Sequence, residues 1–179
     1  MHYPIQFIEP LLLADGTLVQ LRPIHPLDAE QALPFRKKLS EDTIRDRFLG
    51  YVPRHTQALV DRLTKIDYEN EMAIIAEITH NDRHEVIAVA RIVREAETDV
   101  AEFAIIIADE WQGKGLGGGM TDFMIAIARQ MNFSKLYALL YSHNRQMQEI
   151  FKKKGFKIRH QEGNTSSAEL VLELPDSIT

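Results

Sequence analysis

Apolar residues recur along this chain with two periods, and the changes from one to the other mark where strands give way to helices. Residues 11–13 and 17–21 flank Asp15 and Gly16, a turn-favouring pair. They predict a hairpin or a bent entry into a first strand that Arg22 and Pro23 end. Over 27–39 the positions Leu27, Ala32, Phe35 and Leu39 fall at helical spacing, and Ser40 followed by Thr43 opens a second helical start over 40–48. Helices dominate as far as Ile66. Residues 71–79 and 85–94, rich in Ile, Val and Ala, then predict two antiparallel strands joined through Asn81, Asp82, Arg83 and His84, with a third strand over 101–108.

After a glycine-rich turn the period lengthens again. Leu116, Met120, Phe123, Met124, Ile127, Ala128 and Met131 form the stripe of an amphipathic helix that packs on a sheet. Residues 136–141 read as a strand, 144–154 as a short helix closed by Gly155, and 156–160 with 168–174 as a last pair of strands. The strands over 101–108 and 136–141 are joined through a helix, a crossover too long for a hairpin, so they run parallel. Antiparallel strands followed by a β-α-β-α-β-β order give an α/β sandwich with a mixed sheet.

Composition narrows the class. With 179 residues, 45% of them hydrophobic, the chain fills one sizeable core and is short for two. A single domain over 1–179, with its centre at about 17–175, is therefore expected. No linker-like tract or repeat interrupts it. A formal charge of −5 argues against nucleic acid as principal partner and mildly favours a cationic one. The absence of cysteine excludes disulfides, thiolate metal sites and a cysteine nucleophile, and points to a reducing compartment, the cytoplasm. Residues 1–7 lack the basic region and apolar core of an export signal, and 11–14 is too short for a membrane span. The 7 histidines show no metal-ligand spacing, so no metal is expected.

The candidate chemistry lies in Gln112, Gly113, Lys114, Gly115, Leu116, Gly117, Gly118 and Gly119, set between a hydrophobic strand and the amphipathic helix. Glycines let successive backbone N–H groups point into one concavity, and the helix start adds unpaired donors and a partial positive charge. Such a turn suits a pyrophosphate. A magnesium-binding P-loop needs Ser or Thr after Gly-Lys, whereas Lys114 is followed by Gly115 and Leu116. A dinucleotide-binding turn follows the first strand of a parallel sheet and needs an acid at the end of the next strand, which 136–142 lacks. A merely flexible glycine turn is the bland alternative.

The spacing Gln-x-x-Gly-x-Gly after a strand, here Gln112, Gly115 and Gly117, resembles the acyl-CoA pyrophosphate loop of the GCN5-related N-acetyltransferases, the GNAT family. The resemblance runs from Arg22, Pro23 and Ile24 to Asn144, Gly155 and Phe156. Residues 39–48 and 66–73 look like the acetyltransferase domain of bacterial protein-lysine acetyltransferases. It implies a mostly antiparallel central sheet with a splayed parallel strand pair, flanked by helices. It also implies acetyl-CoA as cosubstrate, held by the backbone of Ile105, Ile106 and Ile107, by residues 112–118, and by Asn144 and the position of Phe151.

Amine acylation requires a neutral nucleophile, while a lysine titrates near ~10.4 in water, so something must accept its proton. Glu102 resembles the family's strand-borne glutamate base, and strand alternation sets it with Ala104 and Ile106, opposite Phe103, Ile105 and Ile107. A structural ion pair with a neighbouring arginine is the alternative, and action through a bound water stays open. A backbone N–H among Ile105 to Ile107 is the candidate donor to an oxyanion. In many relatives a tyrosine protonates the leaving thiolate, but the matching residue here is Phe151. That leaves solvent, Tyr141, Ser142 or another group, or departure of the thiolate without direct protonation, with Tyr141 read first as a core aromatic.

Asn144 either caps its helix or meets the cofactor. Lys152, Lys153 and Lys154 either meet the ribose phosphate or answer the helix dipole. Asp67, Tyr68, Glu69 and Glu71 either attract a lysine or are solvated loop charges. The functions in view are transfer to a protein lysine, transfer to a small amine, and acyl-CoA sensing without turnover, by a monomer or homodimer.

Overall fold

The computed structural model describes residues 2–80, 83–159 and 166–175. Glycine at φ 86° lets the chain reverse at Gly16, and Asp15 accepts from the Thr17 amide at 2.9 Å. This turn pairs β1 (Glu9–Leu12) with β2 (Leu18–Pro23) as the expected hairpin. The helix expected over 27–39 is split. Pro26 opens a 3-10 turn (Pro26–Asp28), and α1 (Ala29–Arg36) follows with Pro34 inside it, where the ring leaves one backbone bond of the helix unmade. Ser40 caps α2 (Glu41–Arg47) by accepting from the Thr43 amide at 3.2 Å, and Thr56 caps α3 (Gln57–Thr64) in the same way.

Three antiparallel strands follow, β3 (Glu71–His80), β4 (Arg83–Arg94) and β5 (Val100–Ile107). Two residues expected in the first connecting turn, Asn81 and Asp82, lie outside the described residues, as does His160 at the end of an expected strand. A short 3-10 turn (Asp109–Trp111) and the glycine loop lead into α4 (Leu116–Gln130), then β6 (Lys135–Tyr141), α5 (Arg145–Lys153), β7 (Lys157–Arg159) and β8 (Ser167–Glu173).

The strands form one eight-stranded sheet in the order β1-β2-β3-β4-β5-β6-β8-β7. Every neighbouring pair is antiparallel except β5–β6, as a helical crossover between them requires. Apolar side chains on one face pack against α4 and α5, with Phe103, Met120, Met124, Ile127 and Phe151 fully buried. The other face carries a smaller cluster, Ile24, Phe35, Ile66, Ile75 and Val86, under α1 to α3. Period-2 alternation along β5 thus sends Phe103 and Ile107 to the first layer and Ile106 to the second.

Candidate active site

The parallel pair is short. β5 and β6 are in register only at Val100 with Lys135, Ala101 with Leu136, and Glu102 with Tyr137. Beyond Glu102 they part, because β4 holds β5 as far as Ile107 while β8 holds β6 as far as Tyr141. The wedge between them is a cleft of about 480 Å³ lined by residues 102–107, by Leu139 and Leu140, and by the glycine loop, α2 and α5.

Strand parity identifies which main-chain groups face it. The Val100 carbonyl accepts from Glu95, and the Ala108 amide donates to Ile87, both on the β4 side. Alternate residues of a strand turn their N–H and C=O to opposite edges. Those of Phe103, Ile105 and Ile107 therefore point into the wedge, and those of Ile106 point at β4. Of the three isoleucines assigned to backbone contacts, Ile106 offers the cleft only its side chain. The Ile107 carbonyl is already taken by the Gln112 side-chain amide at 3.1 Å.

Gln112 also donates to Thr43 at 3.2 Å, so one side chain ties the loop's entrance to the end of β5 and to α2. Gly113 and Gly115 lie at φ 72° and 87°, the left-handed region that side chains avoid. Gly115 is the N-cap of α4, and no side chain caps that end, which leaves its first amides directed into the cleft. At Gly117 a Cβ would stand 3.1 Å from Ile107 Cδ1 and 3.3 Å from Ile150 Cδ1, so the missing side chain opens the loop floor. Gly119 answers to packing instead, with Leu11 2.8 Å from its would-be Cβ. Gly118 borders the cleft. The side chains of Lys114 and Leu116 do not. The Lys114 ammonium lies 4.7 Å from the centroid of the Trp111 ring, and Leu116 is wholly buried.

Glu102 sits where the strands begin to part, at the opposite end of β5 from the loop. Five residues at about 3.3 Å each separate them, roughly 17 Å of open strand edge. No cation forms an ion pair with Glu102 among the described residues. Its neighbours are Tyr137 across the parallel pair and Arg47 at the end of α2. Burial pushes the Tyr137 phenol up, and the charge of Glu102 adds to this.

The contribution of α2 was missed in the sequence, because its residues lie more than fifty positions from the strand they serve. Asp109 accepts from the Thr43 hydroxyl at 2.8 Å and from the Ser40 amide at 3.2 Å. At the other end Asp46 accepts from the Asn144 side-chain amide at 3.0 Å and faces His143 Nε2 at 3.0 Å. Asn144 also caps α5, its Oδ1 accepting from Met147 at 3.2 Å.

Tyr141 is no part of the cleft wall. Its ring stacks on His143 with centroids 5.0 Å apart, and its hydroxyl lies 2.4 Å from where a Cβ of Gly50 would be. Phe151 lies at the cleft floor but is fully buried, 5.3 Å from Phe103 and 4.9 Å from Phe156 by ring centroids. Lys152 pairs with Glu149 and Lys154 with Asp122, while Lys153 borders the cleft.

In the acidic segment at 67–71 Glu69 is exposed, as expected of a solvated loop charge, while Asp67 and Glu71 have structural partners. Asp67 accepts from the amides of Glu69, Asn70 and Glu71, closing a turn. Burial pushes its carboxyl up, but the bonds from Asn70 and from these amides outweigh that and hold it below its ordinary value. Glu71 is buried against Arg91 and Arg62. No group of three or more His, Asp or Glu among the described residues is placed to hold a metal, and no helix is long and apolar enough to cross a membrane.

The arrangement combines an anion cradle, an open strand edge and a carboxylate at the far end. The chain is similar to known proteins over most of its length. The profile of the acetyltransferase (GNAT) domain matches residues 19–157. An acetyltransferase of Pseudomonas aeruginosa is 33% identical over 144 residues, covering 80% of this chain and 77% of that one. The acetyltransferase Pat of Mycolicibacterium smegmatis is 30% identical over 147 residues, 82% of this chain and 43% of the longer relative. Among solved structures, the GNAT domain of S. lividans PAT superposes with a TM-score of 0.87 at 26% identity, covering 97% of this chain and 100% of that domain.

Proposed function

The chain belongs to the acetyltransferase (GNAT) domain family and is an acetyl-CoA-dependent N-acyltransferase; from that premise we propose that it acetylates the side-chain amine of protein lysines, with Glu102 as general base. The observation that carries the reading is the parting of β5 and β6 just past Glu102, which joins carboxylate, open strand edge and glycine loop in one cleft. The likeness of residues 39–48 and 66–73 to bacterial protein-lysine acetyltransferases supports the acceptor.

The residues present suit coenzyme A. The uncapped amides of α4 and the glycines at 113, 115 and 117 cradle its diphosphate, and the Phe103 carbonyl, the Ile105 N–H and carbonyl and the Ile107 N–H, which face the wedge, pair with the amides of its pantetheine arm. Lys153 stands where it meets a phosphate at the rim. When bound, acetyl-CoA supplies an electrophilic thioester carbonyl. The N–H of Ile105 or Ile107 polarises a carbonyl oxygen placed along β5. Glu102 accepts the proton from the acceptor nitrogen, directly or through a water. Phe151 has no proton to give and Tyr141 does not line the cleft, which leaves solvent or Ser142 to protonate the thiolate, or its departure without direct protonation.

Two measurements test this. Thiol release from acetyl-CoA is followed with lysine peptides and, in parallel, with spermidine, an aminoglycoside and free amino acids. Turnover of the peptides is expected. Turnover of the free amines alone overturns the protein-lysine reading, and calorimetric binding without turnover of any of them indicates a sensing module. In the second, Gly115→Ala is expected to weaken coenzyme A about tenfold, because a side chain at φ 87° costs roughly 1–2 kcal/mol and turns the loop's amides off target. Unchanged affinity would mean that these amides do not hold the diphosphate.

A further inference from the structure

Arg47 differs from the other internal arginines. Arg91 is bonded to Glu71 and the Leu63 carbonyl, and Arg22 to Asp28 and Glu77. The guanidinium of Arg47, among the described residues, has neither a hydrogen bond nor an ion pair. It lies over the face of the Phe48 ring, 4.9 Å from the centroid. It stands between two spaces, the cleft that holds Glu102 and a separate, mostly apolar cavity of about 140 Å³ beneath α1 to α3. Burial strips its water and pulls its proton affinity down, and the charge of Glu102 offsets part of that loss. Arg47 is half-buried, and its five donors, with no protein acceptor among the described residues, are left to solvent and to the two spaces it borders. Such a charge acts on whatever enters the cleft.

The even-numbered residues of β5 face α2, which sets Arg47 and Glu102 on the same side of the strand. We propose that Arg47 is a positioning residue that sets the protonation state of the bound acceptor, holding the amine neutral beside an ionised Glu102. This rests on the reading of Glu102 as base. Every loss of a proton from an amine–carboxylate pair is favoured by a fixed positive charge nearby. One proton leaves the ammonium for solvent. When the nitrogen bonds to the acyl carbon and the carbon–sulfur bond breaks, the second passes from nitrogen to Glu102.

The other charges around the pair leave this role to Arg47. On β4, Arg91 is answered by Glu71, which also holds Arg62 of α3. Asp46 of α2 is bonded to Asn144 and faces His143. On α5, Glu149 is paired with Lys152. Tyr137 of β6 is kept neutral by burial and by Glu102. Lys153, at the rim, belongs to the loop end of the cleft.

The test compares wild type, Arg47→Met and Arg47→Lys on the acceptor that the screen identifies, lysine peptide first, at saturating acetyl-CoA. In the Met variant the acid limb of kcat against pH is expected to move up by about one unit, a tenfold loss below the limb that is regained at high pH. The Lys variant keeps the wild-type limb, and KM for acetyl-CoA is unchanged in both. A limb that stays in place while kcat falls uniformly overturns the proposal in favour of a packing role. A second readout needs no turnover: the trimethyl-lysine form of the peptide, a fixed cation, is expected to bind the Met variant about tenfold tighter, and the norleucine form equally to both. Equal gains for both forms, or none, also overturn it. If instead Glu102→Gln leaves turnover intact, the base assignment fails separately, and the binding comparison still decides Arg47.

Discussion

Glu102→Gln is expected to lower kcat by about 10²–10⁴-fold, the range that a positioned general base contributes, while calorimetric affinity for coenzyme A stays unchanged. Glutamine keeps the shape and one oxygen of glutamate but cannot take a proton. Glu102 forms no ion pair among the described residues, so the substitution breaks no salt bridge. Its stability should match wild type, and the acid limb of the kcat profile should flatten. Equal turnover in mutant and wild type at every pH would show that the proton goes elsewhere. A parallel loss of coenzyme A binding would make Glu102 a structural residue of the cleft.

The second large effect lies one strand away. Arg91 is 6% exposed on β4, opposite Ala104, and is bonded to Glu71 and to the Leu63 carbonyl. Burial, with Arg62 and Arg47 nearby, pulls its proton affinity down to about 9, so it stays charged at neutral pH. Glu71→Ala removes the only carboxylate paired with it among the described residues and leaves that charge uncompensated. A cost of about 3–5 kcal/mol is expected, a large part of the roughly 5–15 kcal/mol by which domains are stable. Urea unfolding should show the midpoint fall accordingly. Replacing both partners, Glu71→Leu with Arg91→Met, should recover most of it, because an apolar pair needs no counter-charge. A double mutant as weak as the single one would mean that the pair is held by its geometry and not by charge balance.

Both experiments concern residues that the sequence treated unequally. Glu102 could be singled out because it resembles the strand-borne glutamate base of the GNAT family, and its strand parity and spacing to the glycine loop are readable from ten consecutive positions. Glu71 was read as part of an acidic cluster, and nothing within 67–71 announces that its partner stands twenty residues on, on the facing strand. The amphipathic stripe from Leu116 to Ala128 reappears as the buried face of α4, since helical period and burial carry the same information. The helix expected over 27–39 came out as a 3-10 turn and a shorter α-helix, Ala29–Arg36, that holds Pro34 inside it; apolar spacing does not distinguish the two helical forms or set their ends.

The sequence by itself determined the order of elements, the parallel sense of β5 and β6, and the left-handed glycines that start α4, because each follows from periodicity, crossover length or backbone freedom within a short stretch. Only the tertiary structure decided where β5 and β6 stop pairing, which isoleucine amides face the gap, and that α2 brings Arg47 and Asp46 to a site built from residues as far as 98 positions later in the chain. Those depend on how β4 and β8 pull two neighbouring strands apart and on which helix covers the opening. Such competition between distant contacts leaves no periodic trace in the chain.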